Sequence, residues 1–196
     1  MPLTAAIIAL RPICEEDDEF LRRLYASTRE TELALTGWTQ TQMDVFLNMQ
    51  FDAQQRHYFD KFCGADFDII EQGGERAGHM YVERGEETIR LIDLALLPQY
   101  RNRCIGTRLI GDLLAEAVVA GKPVCLTVEQ SNPAGRLYER LGFTQTGDDG
   151  VYRTMQWLPM ALRLPGHDKS AGSNASRAEE NSGVQSVDRA VPRGFL

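Results

Sequence analysis

Hydrophobic residues recur at two different spacings along the first 163 positions of the chain. Thr4–Leu10 is a short, mostly apolar run, which predicts a β-strand. An acidic turn follows Pro12 and leads into apolar residues at helical spacing, and acidic side chains stabilise the N-terminus of a helix. Thr39 and Gln42 match a capping box, which predicts a second helix from there toward Phe62. The chain is therefore expected to open with one strand and two helices.

The middle of the chain predicts strands joined by tight turns. Glycine-rich connections at 72–74 and 84–85 separate three β-like segments: Phe67–Glu71, Ala77–Glu83 and Thr88–Leu97. Because such connections favour hairpins, we expect these strands to be antiparallel. A long amphipathic helix follows, with apolar residues on one face from Ile105 to Val118, and Gly121 ends it.

The last part of the folded region predicts a strand, a short helix and a hairpin. The apolar run Val124–Val128 is typical of a strand buried on both faces. Asn132 and Pro133 predict the N-cap and first position of a helix that ends at Gly142. Two further segments predict the closing hairpin: Phe143–Thr146 and Val151–Leu158. The order β α α β β β α β α β β indicates an α/β (α+β) domain, with a mixed, largely antiparallel sheet of about seven strands and about four flanking helices.

The composition of the chain changes near residue 164. Positions 164–196 are rich in Gly, Ser, Ala, Asn and Arg, and Phe195 is their one aromatic residue. A segment of this composition buries too little apolar surface to offset the entropy cost of ordering it. The sequence therefore predicts a folded domain over 1–163 and a disordered, low-complexity tail over 164–196.

Charge and hydropathy narrow the classes of partner. The 196 residues include 28 acidic and 21 basic side chains, a formal net charge of −7, whereas nucleic-acid binding favours a basic surface. No apolar run approaches the ~20 residues of a membrane-spanning helix, and the opening segment lacks the basic start of a signal peptide. The four cysteines form no closely spaced pair, and the three histidines give no metal-binding pattern. We therefore expect a cytoplasmic protein without nucleic-acid, membrane or metal partners.

The segment between the third hairpin strand and the long helix carries the first candidate site. Arg101–Thr107 joins a strand to a helix, and the first backbone N–H groups of a helix have no intrahelical partner. These donors and the helix dipole favour phosphate oxygens, while Arg101 and Arg103 add positive charge and Gly106 permits close approach of a ligand. The segment is neither a Walker A loop nor a dinucleotide-binding GxGxxG loop. The alternative interpretation is a solvated loop before an ordinary helix.

A second motif spans Asn132–Phe143, one strand after the long helix, and contains Asn-Pro-Ala and Leu-Tyr-x-x-Leu-Gly-Phe. With both motifs in this order, the sequence resembles the GNAT superfamily of acyl-CoA-dependent N-acyltransferases. The family's pyrophosphate signature, Arg/Gln-x-x-Gly-x-Gly/Ala, is matched at Arg101–Gly106. The resemblance covers residues 88–158 by motif and 4–87 by the order of elements. It implies a single GNAT-like domain.

Cys104 departs from this signature, because the family's first glycine stands at that position. A side chain there would crowd the pyrophosphate or force a backbone angle that glycine tolerates better. We expect a tolerated replacement whose backbone N–H still binds phosphate, and a redox-sensitive or acylatable thiol is the alternative.

The resemblance implies an N-acetyltransferase that moves an acetyl group from acetyl-CoA to a primary amine by direct attack in a ternary complex. The pyrophosphate would lie on the loop, chiefly on its backbone: Arg101, Arg103, Cys104, Ile105, Gly106 and Thr107. In the family a bulge leaves polar strand groups, here of Leu94 and Leu96, to pair with the pantetheine amides, and the Leu96 N–H would polarise the thioester carbonyl. Asn132 would bond the pantetheine arm or cap its helix.

Tyr138 matches the tyrosine that lies near the coenzyme A sulfur in many family members. It would act as general acid for the departing thiolate, and the alternative is a tyrosine that packs in its helix. Asp93, Glu129 or a water chain are the candidates for removing the proton of the acceptor. The choice among them depends on strand register, since a one-residue shift moves a side chain to the other face.

The acceptor, a small-molecule or peptide amine, is expected to contact the first two helices and Leu33–Thr39, with Tyr81 nearby. Trp38 either belongs to this region or anchors the helix pair in the core, and its size favours the core. Two other functional interpretations stay open: a non-catalytic acyl-CoA-binding module and a plain interaction domain. The resemblance also allows a homodimer.

Overall fold

The computed structural model describes residues 7–163, which form seven strands and four helices. In chain order these elements are β1 Ile8–Pro12, α1 Asp18–Leu33, α2 Gln40–Lys61, β2 Asp66–Gln72, β3 Glu75–Arg84, β4 Ile89–Leu96, α3 Ile105–Ala120, β5 Val124–Glu129, α4 Gly135–Arg140, β6 Thr144–Asp148 and β7 Tyr152–Trp157. The predicted order of elements is confirmed. The predicted tail, 164–196, and the start of the predicted first strand lie outside the described residues.

All seven strands belong to one sheet, in the order β1-β2-β3-β4-β5-β7-β6. The pairs β2–β3 and β3–β4 are antiparallel, as their glycine-rich turns predict. β4 and β5 are parallel, because α3 carries the chain back across the sheet between them. The prediction of a mixed, largely antiparallel sheet is confirmed.

β4 and β5 separate soon after they begin. Their pairing starts at Ile89 and ends at Leu91, which lies opposite Leu126. In the register with β3, the residues facing Tyr81 and Val82 are Asp93 and Leu91, so the residue between them is an extra one. Such a bulge bends its strand and increases the local twist. The result is an opening between the carboxyl halves of the two strands, which we call the β4–β5 gap.

The two faces of the sheet carry different helices. Leu94 and Leu96 of β4 pack with residues of α3 and α4 in the largest group of buried side chains. Ala95 and Leu97, which alternate with them, pack with residues of α1 and α2. Because successive strand residues point to opposite faces, α3 and α4 cover one face and α1 and α2 cover the other. No helix within residues 7–163 is both long and apolar enough to span a membrane.

Most strand boundaries differ from the predicted ones by one or two residues, and two differences have a clear physical reason. β1 extends through Pro12, which an edge strand tolerates because the missing N–H is not needed by a neighbour. α4 begins at Gly135 rather than at Pro133. The amides of Gly135 and Arg136 bond to carbonyls three residues back, so the turn before α4 is wound more tightly than an α-helix.

The prediction that β5 is buried on both faces is wrong. Val124, Leu126 and Val128 are buried, whereas the residues between them are half-exposed. The physical reason is the position of the first two helices, of which α1 lies against β3 and β4 and leaves this face of β5 less covered. An apolar run of five residues does not by itself distinguish these two cases.

Candidate functional site

The loop before α3 adopts a backbone conformation that side chains disfavour. Cys104, the N-cap of α3, has φ +61°, and Asn102 has φ +59°. Of the two consequences considered for a side chain at position 104, the glycine-like backbone angle is the one observed, and asparagine is among the residues that tolerate this region best. The first helical bond runs from Arg108 N to the Cys104 carbonyl at 3.0 Å. The amides that precede it in α3 are therefore directed out of the helix end.

A cavity of about 350 Å³ lies between this loop and α4. Five of the predicted site residues line it: Leu96, Cys104, Ile105, Gly106 and Thr107. Arg136 and Arg140 of α4 line it as well, and the sequence analysis did not single them out. Their i, i+4 spacing inside the second motif was a signal that one helix face is cationic. The cavity thus combines helix-end amides with two guanidinium groups, which suits a phosphorylated ligand.

The two arginines predicted at the loop do not line this cavity. Arg101 Nε donates to the Leu96 carbonyl at 2.8 Å, and its Nη2 lies 3.3 Å from Ser27 Oγ. Burial lowers the pKa of this guanidinium. Arg103 is exposed, and its guanidinium carbon lies 5.8 Å from the centre of the Tyr100 ring. Arg101 therefore fastens the loop to β4 and α1.

The carboxyl half of β4 presents backbone groups to the β4–β5 gap. The Leu97 amide donates to the Ala77 carbonyl at 2.9 Å, toward β3. Because amides alternate in direction along a strand, those of Leu94 and Leu96 point the other way, into the gap. The Leu96 carbonyl is already bonded to Arg101, so the amide is the group that this residue offers there.

Asn132 and Tyr138 are both buried where the second motif meets the sheet. Asn132 Oδ1 accepts a hydrogen bond from the Ala134 amide at 2.9 Å, which is a capping contact at the turn before α4. The Tyr138 ring packs edge-on against Phe143 at 5.7 Å. Burial, and secondarily the charge of Asp93, raise the pKa of Tyr138, so its phenol stays protonated at neutral pH.

Asp93 is buried on the α1/α2 side of the sheet, in the bulged part of β4. Tyr58 of α2 donates its hydroxyl to Asp93 Oδ2 at 3.3 Å, and His79 Nε2 lies 3.0 Å from the same oxygen. Glu129, the other predicted candidate, is half-buried at the end of β5. The sequence did not connect His79 or Tyr58 with Asp93, because the register of β3 with β4 and the packing of α2 bring them there.

The region expected to contact the acceptor contains a second, larger cavity of about 810 Å³ between α1 and α2. Leu21, Phe51 and Phe59 provide its apolar wall. Trp38 does not line this cavity, and it is 41% exposed, with its ring edge-on to Phe46 at 5.1 Å. The interpretation of Trp38 as a core anchor is wrong, because the turn after α1 leaves it at the surface. Tyr81, by contrast, is fully buried.

Comparison with known proteins gives the family. The model of the acetyltransferase (GNAT) domain matches residues 35–164. No curated protein matches the chain in sequence. The described residues contain no group of His, Cys, Asp and Glu that would hold a metal ion.

Solved structures share the fold. PaiA N-acetyltransferase from Thermoplasma acidophilum, in complex with coenzyme A, has a TM-score of 0.59 and 18% identity, over 78% of this chain and 99% of that one. An acetyltransferase from Thermus thermophilus has a TM-score of 0.55 and 19% identity, over 79% of this chain and 98% of that one. The family model covers most of the chain, and these solved structures share the fold. The chain therefore belongs to the GNAT family of acetyltransferases.

Proposed function

We propose that the chain transfers an acetyl group from acetyl-CoA to a primary amine, by direct attack in a ternary complex. The observation that carries this proposal is the β4–β5 gap, which has helix-end amides at one end and Tyr138 beside it. An acyl-CoA thioester needs an anion-binding anchor for its nucleotide part and a narrow channel for its arm, and these two features lie next to each other. The acceptor then approaches from the α1/α2 face.

The residues present fit coenzyme A. The amides at the start of α3 and the guanidinium groups of Arg136 and Arg140 would bind its phosphates. The amides of Leu94 and Leu96 would pair with its pantetheine arm, and the bulge frees them to do so. The Thermoplasma acidophilum protein with this fold was crystallised with coenzyme A, which supports the assignment. Arg101 and Asn132 are then positioning residues, and Arg103 supplies charge at the rim.

Two groups would assist the chemistry. The Leu96 N–H would donate to the thioester carbonyl oxygen as negative charge develops on it. Tyr138 would give its phenol proton to the sulfur as the carbon–sulfur bond breaks, and its raised pKa keeps that proton available at neutral pH. General acid catalysis of this kind contributes about 10²- to 10⁴-fold to a rate.

The acceptor class is a primary amine that is cationic in solution. The net charge of −7 favours cationic acceptors in the encounter step. Peptide amino termini, lysine side chains, polyamines, aminoglycosides and amino acids all carry the required ammonium group.

The four cysteines are free thiols, as expected of a protein in the reducing cytoplasm.

The anchor for coenzyme A is tested with two glycines of α3. Gly106→Asp puts a carboxylate into the cavity where the phosphates would bind, and the repulsion should weaken coenzyme A binding by at least about 100-fold. Gly111→Asp is the matched control, because a side chain at Gly111 meets open space further along the same helix. Isothermal titration calorimetry measures both dissociation constants. Equal affinities for the two variants would contradict the anchor.

The reaction is tested by following thiol release from acetyl-CoA with one amine of each of the classes above. Tyr138→Phe should lower kcat by about 100-fold and leave coenzyme A binding unchanged, because only the proton donor is lost. Tyr152→Phe, at a half-buried tyrosine of β7, is the control and should keep its rate. Tight coenzyme A binding without release from any amine would instead indicate a non-catalytic acyl-CoA-binding module.

A further inference from the structure

A buried group of polar side chains lies between β3, β4 and α2. Its members are His79 and Tyr81 of β3, Asp93 of β4 and Tyr58 of α2, each at most 7% exposed. The His79 and Tyr81 rings are stacked, with centres 4.2 Å apart and planes at 13°. Asp93 Oδ2 accepts a hydrogen bond from the Tyr58 hydroxyl at 3.3 Å and lies 3.0 Å from His79 Nε2. We call these four residues the His79–Asp93 cluster.

The hydrogen-bonding capacity of this cluster is not filled within residues 7–163. Asp93 Oδ1 and His79 Nδ1 are buried and have no hydrogen-bond partner there, and the contact of Nε2 with Asp93 is too poorly aligned to count as one. A buried polar atom without a partner costs about 1–3 kcal/mol, more if it is charged. Folded proteins rarely keep several such atoms together unless a ligand or ordered water satisfies them. The open positions here are one carboxylate oxygen, the two imidazole nitrogens and the Tyr81 hydroxyl.

The cluster is placed beside the β4–β5 gap. Asp93 is the second residue after Leu91, where the pairing of β4 with β5 ends. Its charge also acts on Tyr138, which belongs to the group of side chains on the opposite face of the sheet. The proton donor proposed for the sulfur and the unfilled carboxylate therefore flank the same opening, one on each face.

We propose that the His79–Asp93 pair receives the proton of the acceptor's ammonium group. This inference rests on the proposed function and names the group that prepares the nucleophile. When a small turn of the imidazole brings Nε2–H into line with Asp93 Oδ2, the lone pair of Nδ1 takes one proton from the ammonium nitrogen. The neutral amine then forms a bond to the thioester carbonyl carbon, and the carbon–sulfur bond breaks. As the carbon–sulfur bond breaks, Tyr138 gives its phenol proton to the departing sulfur, and the second nitrogen proton, passed on through water, reprotonates the phenolate. His79 then releases the first proton to solvent.

The surroundings of His79 suit this step. The imidazolium that forms is paired with the Asp93 carboxylate, so the buried site ends the step without an unpaired positive charge. The other ionisable groups that face the pair are the phenols of Tyr58 and Tyr81, both neutral, since burial raises the pKa of each. The charge of Arg29 on α1 acts on Tyr58, and the charge of Asp17 acts on Tyr81. Glu129 lies at the end of β5, on the other side of the gap.

The test measures acetyl transfer to the amine that gives the fastest thiol release in the panel above. His79→Gln keeps the size and polarity of the side chain but cannot take the proton, so kcat should fall by about 100-fold. His57→Gln, at a half-buried histidine of α2 outside the cluster, should stay within about twofold of the wild type. Coenzyme A affinity should be unchanged in both variants, which also reports that they are folded. Added imidazole should restore rate to His79→Ala and not to Tyr138→Phe.

Asp93→Asn is the second variant, and it should lower kcat by about 10-fold or more, because the imidazolium loses its counter-charge. The inference is overturned if His79→Gln or Asp93→Asn keeps kcat within about threefold of the wild type. It is also overturned if imidazole leaves His79→Ala unchanged. Failure of the proposed function itself has a different signature, because the wild-type chain would then release no thiol with any amine.

Discussion

Two buried carboxylates of this protein differ in how completely they are hydrogen-bonded. Asp17, at the start of α1, accepts bonds from Arg11 Nη1 at 2.6 Å and Nη2 at 2.8 Å. It also accepts hydrogen bonds from Arg76 Nη1 and from the Cys14 amide, both at 3.1 Å. Asp93 has one hydrogen bond among the described residues, from Tyr58 at 3.3 Å, and an unaligned contact with a histidine. Both side chains are at least nine-tenths buried.

The difference separates a structural carboxylate from one that is open to a ligand. Around Asp17 two guanidinium groups and a backbone amide occupy the lone pairs, and they offset the cost of removing the charge from water. The Arg11 guanidinium holds the pKa of Asp17 well below its usual range. The hydrogen-bonding positions of the Asp93 carboxylate are not filled in this way, and Asp93 lies beside the β4–β5 gap rather than at the start of a helix. A buried charge with unfilled hydrogen-bonding capacity beside the β4–β5 gap is a functional candidate on physical grounds.

The sharpest test of this comparison is the stability of two isosteric variants. Asp17→Asn should lower the free energy of unfolding by about 2 kcal/mol, because it weakens charged hydrogen bonds to two partly exposed arginines. Asp93→Asn should change it by less than about 1 kcal/mol, since it removes a charge that is only partly compensated. Urea denaturation, with the slope checked for constancy, measures both values.

Acetyl-transfer rates should show the opposite ranking. Asp17→Asn should keep its kcat at a temperature where it is folded, whereas Asp93→Asn should lose most of it. Equal losses of stability in the two variants would break the distinction, and so would a larger loss for Asp93→Asn.

Local signals predicted most of the fold. The capping box of Thr39 and Gln42 is present at the start of α2, and Gly121 ends α3 in the left-handed region. The unpaired backbone amides at the start of α3, before Arg108, could be predicted from the strand–loop–helix order alone, because any α-helix leaves its first N–H groups without an intrahelical partner. These features depend on residues a few positions apart, so they can be predicted from the sequence.

Features that depend on packing between distant segments could not be predicted. The side chain of Arg101 turns to the Leu96 carbonyl and to Ser27, and no sequence pattern distinguishes this from a phosphate contact. His79 reaches Asp93 through the β3–β4 register, which the bulge in β4 shifts by one residue. The family resemblance implied a bulge in this strand but not its exact position, and that position decides which face of the sheet carries the carboxylate.

Acid titration provides the last and smaller test, because it isolates the ionised form of Asp17. A carboxyl group whose pKa is lowered on folding contributes stability above its unfolded pKa, near 3.9, and this contribution is lost as the pH falls toward the folded value. The wild-type chain and Asp17→Asn should therefore differ most in unfolding free energy near neutral pH, and the difference should shrink below about pH 4. Other shifted carboxyl groups, such as Asp68, are common to both proteins and cancel in the difference. A difference that stays constant down to about pH 2 would show that the shape of the Asp17 side chain, and not its charge, supports the start of α1.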